Sequence, residues 1–328
     1  EGMQIFQRTI DGFKNHPNFS HVFVIGLGCE CAQISLFQNK KPDNVVYLNI
    51  QDEGGTNSII NKCSKMITDV LPLANEVSRT SISVKELSVA LQCGGSDSYS
   101  GITANPALGY ASDLLTSNGG STILAETPEI YGAEHLLKGR ILEKSVITKL
   151  DKHISWWENY TKINGASMDN NPAPGNKKGG ITTILEKSLG AVAKGGKSNL
   201  IDVIDYGEIL QKKGFNFMNS PGFDPVSVTG QVASGANIIC FTTGRGSCFG
   251  FKPVPSIKIA TNTNMYNRMK EDMDINSGTI MDGLETVEEN GIKIYKNIIE
   301  VASGKKSKSE INGYGDDEFN PWVIGATL

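Results

Sequence analysis

Apolar residues recur along this chain in two patterns, one typical of buried strands and one typical of helices. Short apolar runs such as HVFVIGLG and ANIICFTTG have the length of strands that are buried on both faces. Longer segments place apolar residues on one helical face. Strands are predicted at 21–27, 45–50, 87–92, 121–125, 200–204, 237–242 and 256–260. Helices are predicted at 2–15, 57–77, 106–118, 130–162, 183–193, 226–235, 263–270 and 285–302.

The alternation of strands with helices predicts an α/β fold with two Rossmann-like halves, whose largely parallel sheets are flanked by helices. The segment GASMDNNPAPGNKKGG, at 165–180, is polar and rich in turn-forming residues. It is the best candidate for a domain boundary or a functional loop. As a boundary it predicts a first lobe at 1–164 and a second at 165–328. Parallel sheets bind ligands in the loops at the carboxyl ends of their strands, so those loops are the predicted site.

Composition restricts the class of protein and of partner. The chain has 328 residues, of which 39% are hydrophobic and 20% charged, with a net charge of −4 and a pI near 5.7. These values predict a soluble globular protein without the basic surface of a nucleic-acid binder. Apolar runs are too short for a membrane span. Six scattered cysteines indicate a reducing cytoplasm. Glu1 opens the chain, so we expect an upstream region to be missing.

The loop GLGCEC after the first predicted strand resembles part of a dinucleotide fingerprint. Cys31 stands where the third glycine is required, which argues against a dinucleotide-dependent oxidoreductase. Cys29 is either a small buried apolar residue or a metal-binding or redox thiol beside Glu30. The spacing of the two cysteines does not match a usual zinc pair.

The loop CGGSDSYSG follows the third predicted strand. Two glycines allow close backbone approach to a ligand, and Ser96 and Asp97 add donors and acceptors. Asn105 before a proline is a good helix cap, which explains that residue in part. A cap does not explain Cys93, Asp97 and the serines, so a hydroxyl-rich ligand is the natural match.

The next loop, ETPEIYGAEH, places Glu126 directly after a buried strand. Glu129 can be a solvated residue in an early helical turn, whereas a carboxylate at a strand end is harder to explain without function. His135 is the one histidine of four that falls in a candidate ligand loop.

Cationic residues lie in the later loops. Lys177, Lys187 and Arg245 suit a carboxylate or a phosphate ligand, although no Walker A motif is present. Lys258 lies among apolar residues of a predicted strand, so it requires a partner or a function, and Asp274 is a candidate partner.

Several long segments, in order, carry a resemblance. They are GLGCE, QCGGSDSYSGITANPALGYASDLL, ETPEIYGAEHLL, PGNKKGGITTILEKSLGAVAKGG, PGFDPVSVTGQVASGANIICFTTGRGS and PSIKIATNT. Together they resemble the altronate dehydratase and D-galactarate dehydratase family over nearly the whole chain. The resemblance implies a lyase that removes water from a hexonate or hexarate to give a 2-keto-3-deoxy acid. It also implies a divalent metal, typically Fe(II) or Mn(II), and an additional upstream region that includes a small β-rich domain.

The chemistry of such a lyase assigns expected roles to the residues above. The catalytic candidates are Glu126, Glu129, His135 and Lys187. The substrate-binding candidates are Ser96, Asp97, Asn105, Asn176, Lys177, Thr243, Arg245 and Lys258. The metal candidates are Cys29 and Cys93, with Glu30 and Asp274 in addition. Two thiolates favour iron or zinc over Mg(II), and the sequence has no tight cysteine motif for an iron–sulfur centre.

Several alternatives stay open at this point. A related lyase could remove another leaving group from a hydroxy acid, and a noncatalytic module could bind a sugar acid without turnover. The choice between altronate and galactarate is also undecided. A small-molecule sugar acid and a second copy of the chain, in a homodimer, are the expected partners.

Overall fold

The computed structural model describes residues 1–38 and 42–325 of the chain. The strands are β1 Val22–Gly26, β2 Val45–Asn49, β3 Ser88–Cys93, β4 Ser121–Leu124, β5 Leu200–Ile204, β6 Phe215–Met218, β7 Ile238–Thr243, β8 Ser256–Ala260 and β9 Ile275–Asn276. The helices are α1 Gly2–Lys14, α2 Thr56–Asn75, α3 Ala104–Ser117, α4 Glu134–Lys138, α5 Lys144–Ile163, α6 Pro174–Lys178, α7 Ile184–Ala193, α8 Asp224–Ala233, α9 Thr263–Arg268, α10 Val287–Ala302 and α11 Lys308–Ile311.

Seven strands form one parallel sheet in the order β5-β6-β4-β3-β7-β8-β9. Strands β3 and β4 precede residue 165 and the other five follow it, so strands of both predicted lobes pair in the same sheet. In the centre, Leu91 of β3 is in register with Leu124 of β4 and Cys240 of β7. The chain leaves β3 toward β4 on one side and later builds β7, β8 and β9 on the other. Such a reversal creates a crevice at the carboxyl ends of the central strands.

Helices cover both faces of this sheet. Val89 and Leu91 of β3 belong to a buried cluster that includes residues of α3 and α10, whereas Ala90 belongs to the cluster that includes residues of α8. Alternate strand residues point to opposite faces, so both faces of β3 are buried. This is why the central strands read as continuous apolar runs rather than alternating ones.

The first 75 residues contribute to two places. Helix α1 packs on α8 so closely that a Cβ on Gly12 would lie 2.2 Å from the carbonyl oxygen of Ala233. Strands β1 and β2 instead form a separate two-stranded parallel sheet, and α2 packs on it through a small cluster that includes Leu48 and Ile59.

The predicted α/β class, with parallel strands flanked by helices, is confirmed. Two strands escaped prediction: β6 has four residues and β9 two, which is too short for a periodic signal. The helical region predicted at 130–162 is wrong as one segment, because α4 ends at Lys138 and α5 begins at Lys144. The division into lobes at residue 165 stays a prediction. None of the helices in the described ranges has an apolar stretch long enough to cross a bilayer.

Candidate functional site

A thiol and two carboxylates meet where the central strands end. Cys93 is the last residue of β3, Glu126 follows β4, and Glu129 lies one helical turn further on. One ligand atom from each of the three lies within 4.8 Å of the others, and all three residues are buried. We call this group the Cys93–Glu126–Glu129 cluster. It lies at the carboxyl edge of the sheet, where the loops were predicted to carry the site.

Two lysines neutralise this cluster, Lys187 in α7 and Lys194 directly after its last residue. Lys187 and Lys194 are seven residues apart, so they extend from the same side of the helix. The Nζ atom of Lys194 lies 2.8 Å from Cys93 Sγ and 3.9 Å from Glu126 Oε2. Lys187 Nζ donates to Glu129 Oε1 at 2.6 Å. The cluster is therefore a buried site with charges of both signs.

The side-chain amide of Asn171 contacts both members of the Lys187–Glu129 pair. The side chain of Asn171 accepts a hydrogen bond from Lys187 Nζ at 2.7 Å and donates to Glu129 Oε1 at 3.3 Å. Asn171 belongs to the polar segment at 165–180, which the sequence indicated as a boundary or a functional loop. Glu129 Oε1 therefore accepts hydrogen bonds from both Lys187 and Asn171.

Glu126 combines three unfavourable features. Its backbone is left-handed, with φ 72° and ψ 70°, and no other non-glycine residue in the described ranges has a positive φ. A side chain in this conformation costs about 1–2 kcal/mol. Its carboxylate is only 1% exposed, yet neither oxygen has a hydrogen-bond partner among the described residues. A strained backbone that holds an unpaired buried carboxyl group is typical of a functional position.

Burial and neighbouring charges give the three acidic groups of the cluster different pKa values. Burial raises the pKa of the Cys93 thiol to about 12, and burial together with the charge of Glu129 raises the pKa of Glu126 well above its usual range. Burial acts in the same direction on Glu129, but Lys187 and Lys194 outweigh it and hold that pKa below its usual value. The acidic groups in turn outweigh burial at both lysines and raise the pKa of each, Glu129 acting most strongly on Lys187 and Cys93 on Lys194. Glu129 is therefore the ionised carboxylate, whereas Glu126 holds a proton more tightly.

Asp224 adds another acid at the start of α8. A Cβ on Gly94 would lie 2.3 Å from Asp224 Oδ2, so this carboxylate lies against the turn that follows Cys93, and only glycine leaves room for it. Burial and the charge of Glu129 raise the pKa of Asp224 to about 7. A carboxyl group with this pKa can both release and accept a proton near neutral pH.

The cluster suits a divalent metal by its chemistry. A thiolate with two carboxylates is a mixed soft and hard ligand set that fits Fe(II) or Zn(II) and accommodates Mn(II). The unpaired oxygens of Glu126 support the fit, because a metal would satisfy them. Lys194 lies against the same sulfur, so a bound dication would require the three acidic ligands to outweigh this ammonium group.

A cavity of about 260 Å³ opens beside Cys93. Its lining includes Ser96, Asp97, Asn105, Ile181 and Lys187. The volume suits a small molecule, and most of these side chains are polar. The cavity therefore brings several predicted substrate-binding residues next to the cluster.

Asp97 nevertheless uses its carboxylate within the protein. It accepts hydrogen bonds from Ser100 Oγ at 3.0 Å, from Thr261 Oγ1 at 2.9 and 3.0 Å, and from Asn262 Nδ2 at 3.0 Å. A Cβ on Gly244 would lie 2.1 Å from Asp97 Cγ, so the loop after β7 also packs on it. Asp97 therefore ties together the loops that follow β3, β7 and β8.

Two predicted amides have similar protein partners. Asn105 Nδ2 donates to the carbonyl of Gly190 at 2.9 Å, and its Oδ1 accepts from Thr242. Asn176 Nδ2 donates to the carbonyl of Ser96 at 3.0 Å. These contacts give both amides a role in holding the loops, and their contact with substrate stays a prediction.

The predicted cations are separated by the fold. Arg245 and Lys177 are exposed, and Thr243 Oγ1 accepts from the backbone of Gly246. His135 is exposed on α4 and is not in the cluster. Their substrate and catalytic roles stay predictions.

Lys258 is sealed inside the protein. Its Nζ donates to the carbonyl of Ser247 at 3.1 Å and lies 5.1 Å from the centre of the Tyr314 ring. Asp272 lies 3.9 Å from this ammonium group, whereas the predicted partner Asp274 accepts hydrogen bonds from the backbone NH groups of Lys258 and Lys308. Burial lowers the pKa of Lys258.

The remaining metal candidates lie away from Cys93. Glu30 accepts hydrogen bonds from the backbone NH groups of Leu27 and Gly28, which orders the loop after β1. Cys29 is exposed, and its sulfur accepts from Gln51 at 3.5 Å. Within the described ranges, the ligand cluster contains Cys93 but not Cys29, Glu30 or Asp274. Roles for these three residues in metal binding stay predictions.

Sequence reasoning missed Lys194, Asn171 and Asp224. A signal for Lys194 exists, because it follows Lys187 by seven residues in LEKSLGAVAK and an otherwise apolar helix ends at it. No comparable local signal marks Asn171 or Asp224, since only the tertiary fold brings them to the cluster.

Comparison with known proteins is consistent with the resemblance. The model of the D-galactarate/altronate dehydratase C-terminal domain matches residues 84–327, and that of the second domain of D-galactarate dehydratase/altronate hydrolase matches residues 1–75. Over 91% of its length the chain is 41% identical to galactarate dehydratase (L-threo-forming) of Escherichia coli, and over 95% it is 37% identical to altronate dehydratase of Bacillus subtilis. It spans 59% and 63% of the length of these two relatives.

A further relative is named for a different reaction. The beta subunit of (2R)-sulfolactate sulfo-lyase from Chromohalobacter salexigens is 31% identical over 94% of the chain, which covers 80% of that protein. The similarity therefore extends to proteins named for two kinds of elimination.

Proposed function

The chain belongs to the D-galactarate/altronate dehydratase family, and we propose that it removes water from a hexonate or hexarate to give a 2-keto-3-deoxy sugar acid. The observation that supports this most directly is Glu126, a strained, buried and unpaired carboxyl group beside a thiol, a second carboxylate and two lysines. The names of the relatives support the same class of substrate.

The reaction requires positive charge at the site. The hydrogen α to a carboxylate is weakly acidic, so its removal needs stabilisation of the doubly charged intermediate that forms. We assign Lys187 and Lys194 to this stabilisation, because both are buried and both lie against the cluster. Cys93, Glu126 and Glu129 would hold a divalent ion, Fe(II) or Mn(II), which when bound supplies Lewis-acid stabilisation of the same negative charge.

Proton transfer needs a group that is not a metal ligand. Asp224 lies beside Gly94, and its pKa of about 7 suits both removal of the α-proton and protonation of the departing hydroxyl group. In this assignment Glu126 and Glu129 would hold the metal and take no part in proton transfer. His135, exposed on α4, has no assigned step.

A substrate panel tests the proposed function. The protein is purified without oxygen, treated with a chelator, and assayed with altronate, galactarate and related acids before and after addition of Fe(II) or Mn(II). We expect a 2-keto-3-deoxy acid from at least one acid, formed only with added metal. Turnover that is the same with and without metal would contradict the metal assignment, and ligand binding without turnover of any acid would favour a noncatalytic binding module.

The second candidate function is elimination of a sulfonate group from a hydroxy acid. It is supported by the sulfo-lyase beta subunit, of which the chain covers 80%. Both reactions begin by removal of a proton α to a carboxylate, so the same cluster could serve either. Sulfolactate therefore belongs in the panel, and release of sulfite without keto-acid formation from sugar acids would favour this candidate.

Compartment and assembly complete the proposal. All six cysteines lie in the described ranges and are free thiols, which supports the cytoplasm as the compartment. We propose a homodimer, which sedimentation equilibrium of the purified protein tests.

A further inference from the structure

We propose that Ser220 is a positioning residue that holds the backbone of Glu126 in its left-handed conformation and so sets the geometry of the Cys93–Glu126–Glu129 cluster. Ser220 lies in the loop between β6 and α8 and is fully buried. Its effect on the backbone is independent of any activity. Its effect on the cluster as a metal site rests on the proposed function.

Hydrogen bonds clamp the chain on both sides of the left-handed residue. The backbone NH of Glu126 donates to Ser220 Oγ at 3.0 Å, and the NH of Thr127 donates to the carbonyl of Ser220 at 3.0 Å. Thr127 Oγ1 donates to Asn219 Oδ1 at 2.7 Å, and Asn219 Oδ1 also accepts from Trp157 Nε1 at 2.9 Å. The loop before α8 thereby holds two successive residues of the loop after β4.

A buried polar chain connects this clamp to β3. Ser220 Oγ lies 3.0 Å from Ser227 Oγ, which accepts from Gln92 Nε2 at 2.7 Å. Gln92 Nε2 also donates to Gln231 Oε1 at 2.8 Å, and Gln231 Nε2 donates to the carbonyl of Ile123 in β4. Ser220, Ser227, Gln92 and Gln231 are all 0% exposed.

Two residues of this hydrogen-bonded chain lie close to the cluster along the sequence. Gln92 directly precedes Cys93, and Ile123 lies three residues before Glu126. The hydrogen bonds therefore tie the ends of β3 and β4, which carry the thiol and the carboxyl group, to one helix, α8. Neutral side chains and backbone groups make all of these bonds, so the clamp adds no charge beside the site.

The left-handed conformation needs such a clamp. A glutamate released from these contacts would favour the ordinary regions with negative φ, which would redirect its side chain. No hydrogen bond to the carboxylate opposes that change among the described residues. The contacts at Ser220 are therefore the hydrogen bonds that keep the carboxyl group directed toward Cys93, beside the charge contact with Lys194 at 3.9 Å.

The first test measures thermal unfolding of the metal-free protein. Glu126→Gly and Glu126→Ala are compared in the parent and in a Ser220→Ala background. In the parent, glycine should give the higher Tm, because it adopts positive φ without strain. After Ser220→Ala the backbone can relax, so the advantage of glycine should shrink or reverse. An unchanged difference between the two variants in the Ser220→Ala background would overturn the clamp.

The second test titrates the protein with Mn(II) by calorimetry. Ser220→Ala should weaken binding by about tenfold, the lower end of the range for groups that orient metal ligands. The loss should disappear in a Glu126→Gln background, because Ser220 acts through Glu126. Ser227→Ala, one bond further along the chain, should weaken binding as well and replaces Ser220→Ala if that variant does not fold.

Ser234→Ala is the matched control. Ser234 is also fully buried on the α8 side of the sheet, but its hydroxyl donates to the carbonyl of Gly230 and lies outside the polar chain. It should leave Mn(II) affinity unchanged. An equal loss in Ser234→Ala and Ser220→Ala would reduce Ser220 to a general stability role. Absence of Mn(II) binding to the parent would contradict the proposed metal site, while the unfolding test would still decide the clamp.

Discussion

Asp224→Asn should make the protein more stable at alkaline pH and leave its stability at acid pH nearly unchanged. In the folded chain the pKa of Asp224 is raised from an ordinary 3.8 to about 7, by burial first and by the charge of Glu129 second. The folded state thus binds this proton more tightly than the unfolded state does. The stability that this proton contributes is fully present at pH values below the pKa of Asp224 in the unfolded chain. It is lost as the pH rises through the pKa of Asp224 in the folded chain.

The size of this effect follows from the shift. A separation of the two pKa values by roughly three units corresponds to about 4 kcal/mol. Asp224 is partly exposed, so solvent screening reduces the expected gain of the asparagine variant at pH 8 to about 2–3 kcal/mol. Loss of a favourable carboxylate at the first turn of α8 opposes the gain by less than about 1 kcal/mol.

Guanidinium unfolding at pH 5 and at pH 8 measures the difference. Asp316→Asn is the control, because it removes the same charge from a side chain that is 70% exposed. The parent and the control should lose stability in parallel between the two values, and Asp224→Asn should lose less. Parallel curves for all three proteins would refute the raised pKa of Asp224 beside Glu129.

Further substitutions test other parts of the site. Lys187→Met should destabilise the protein by about 3 kcal/mol in guanidinium unfolding, because it leaves Glu129 buried without its partner, whereas exposed Lys178→Met should change stability by less than about 0.5 kcal/mol. Asp97→Ala should cost about 3 kcal/mol by the same measurement, and lost turnover at unchanged stability would instead indicate contact with substrate. Gly94→Ala should lower Tm and turnover together, because its methyl group would lie 2.3 Å from Asp224 Oδ2.

Much of the architecture was predictable because the sheet is parallel. Its central strands are buried on both faces, so ANIICFTTG, which contains β7, is legible as an apolar run. HVFVIGLG predicted β1 as a buried strand, and that burial is wrong, because β1 lies in the separate two-stranded sheet and is only partly buried. The two strands that were missed are short edge or near-edge elements, whose pairing depends on neighbours rather than on their own pattern. The break between α4 and α5 is the segment GRILE, in which a glycine interrupts the helical pattern.

The site was predictable only in part. The rule that ligands bind after parallel strands indicated Cys93, Glu126 and Glu129, and the structure brings these three together. The same rule could not distinguish side chains that face the cavity from those that tie loops, which is why Asp97 and Asn105 have protein partners. Partners that come from distant segments, such as Asn171 and Asp224, need tertiary structure.

Turnover by Glu126→Gln is the most direct test of the central claim that the cluster is the reaction centre. The variant keeps the shape of the side chain but loses the carboxylate, and Glu134→Gln on nearby α4 is the control outside the cluster. With the preferred sugar acid and added metal, the account predicts that Glu126→Gln lowers keto-acid formation by at least a hundredfold while Glu134→Gln retains it. Equal turnover by Glu126→Gln and the parent protein would place the chemistry elsewhere and contradict the account.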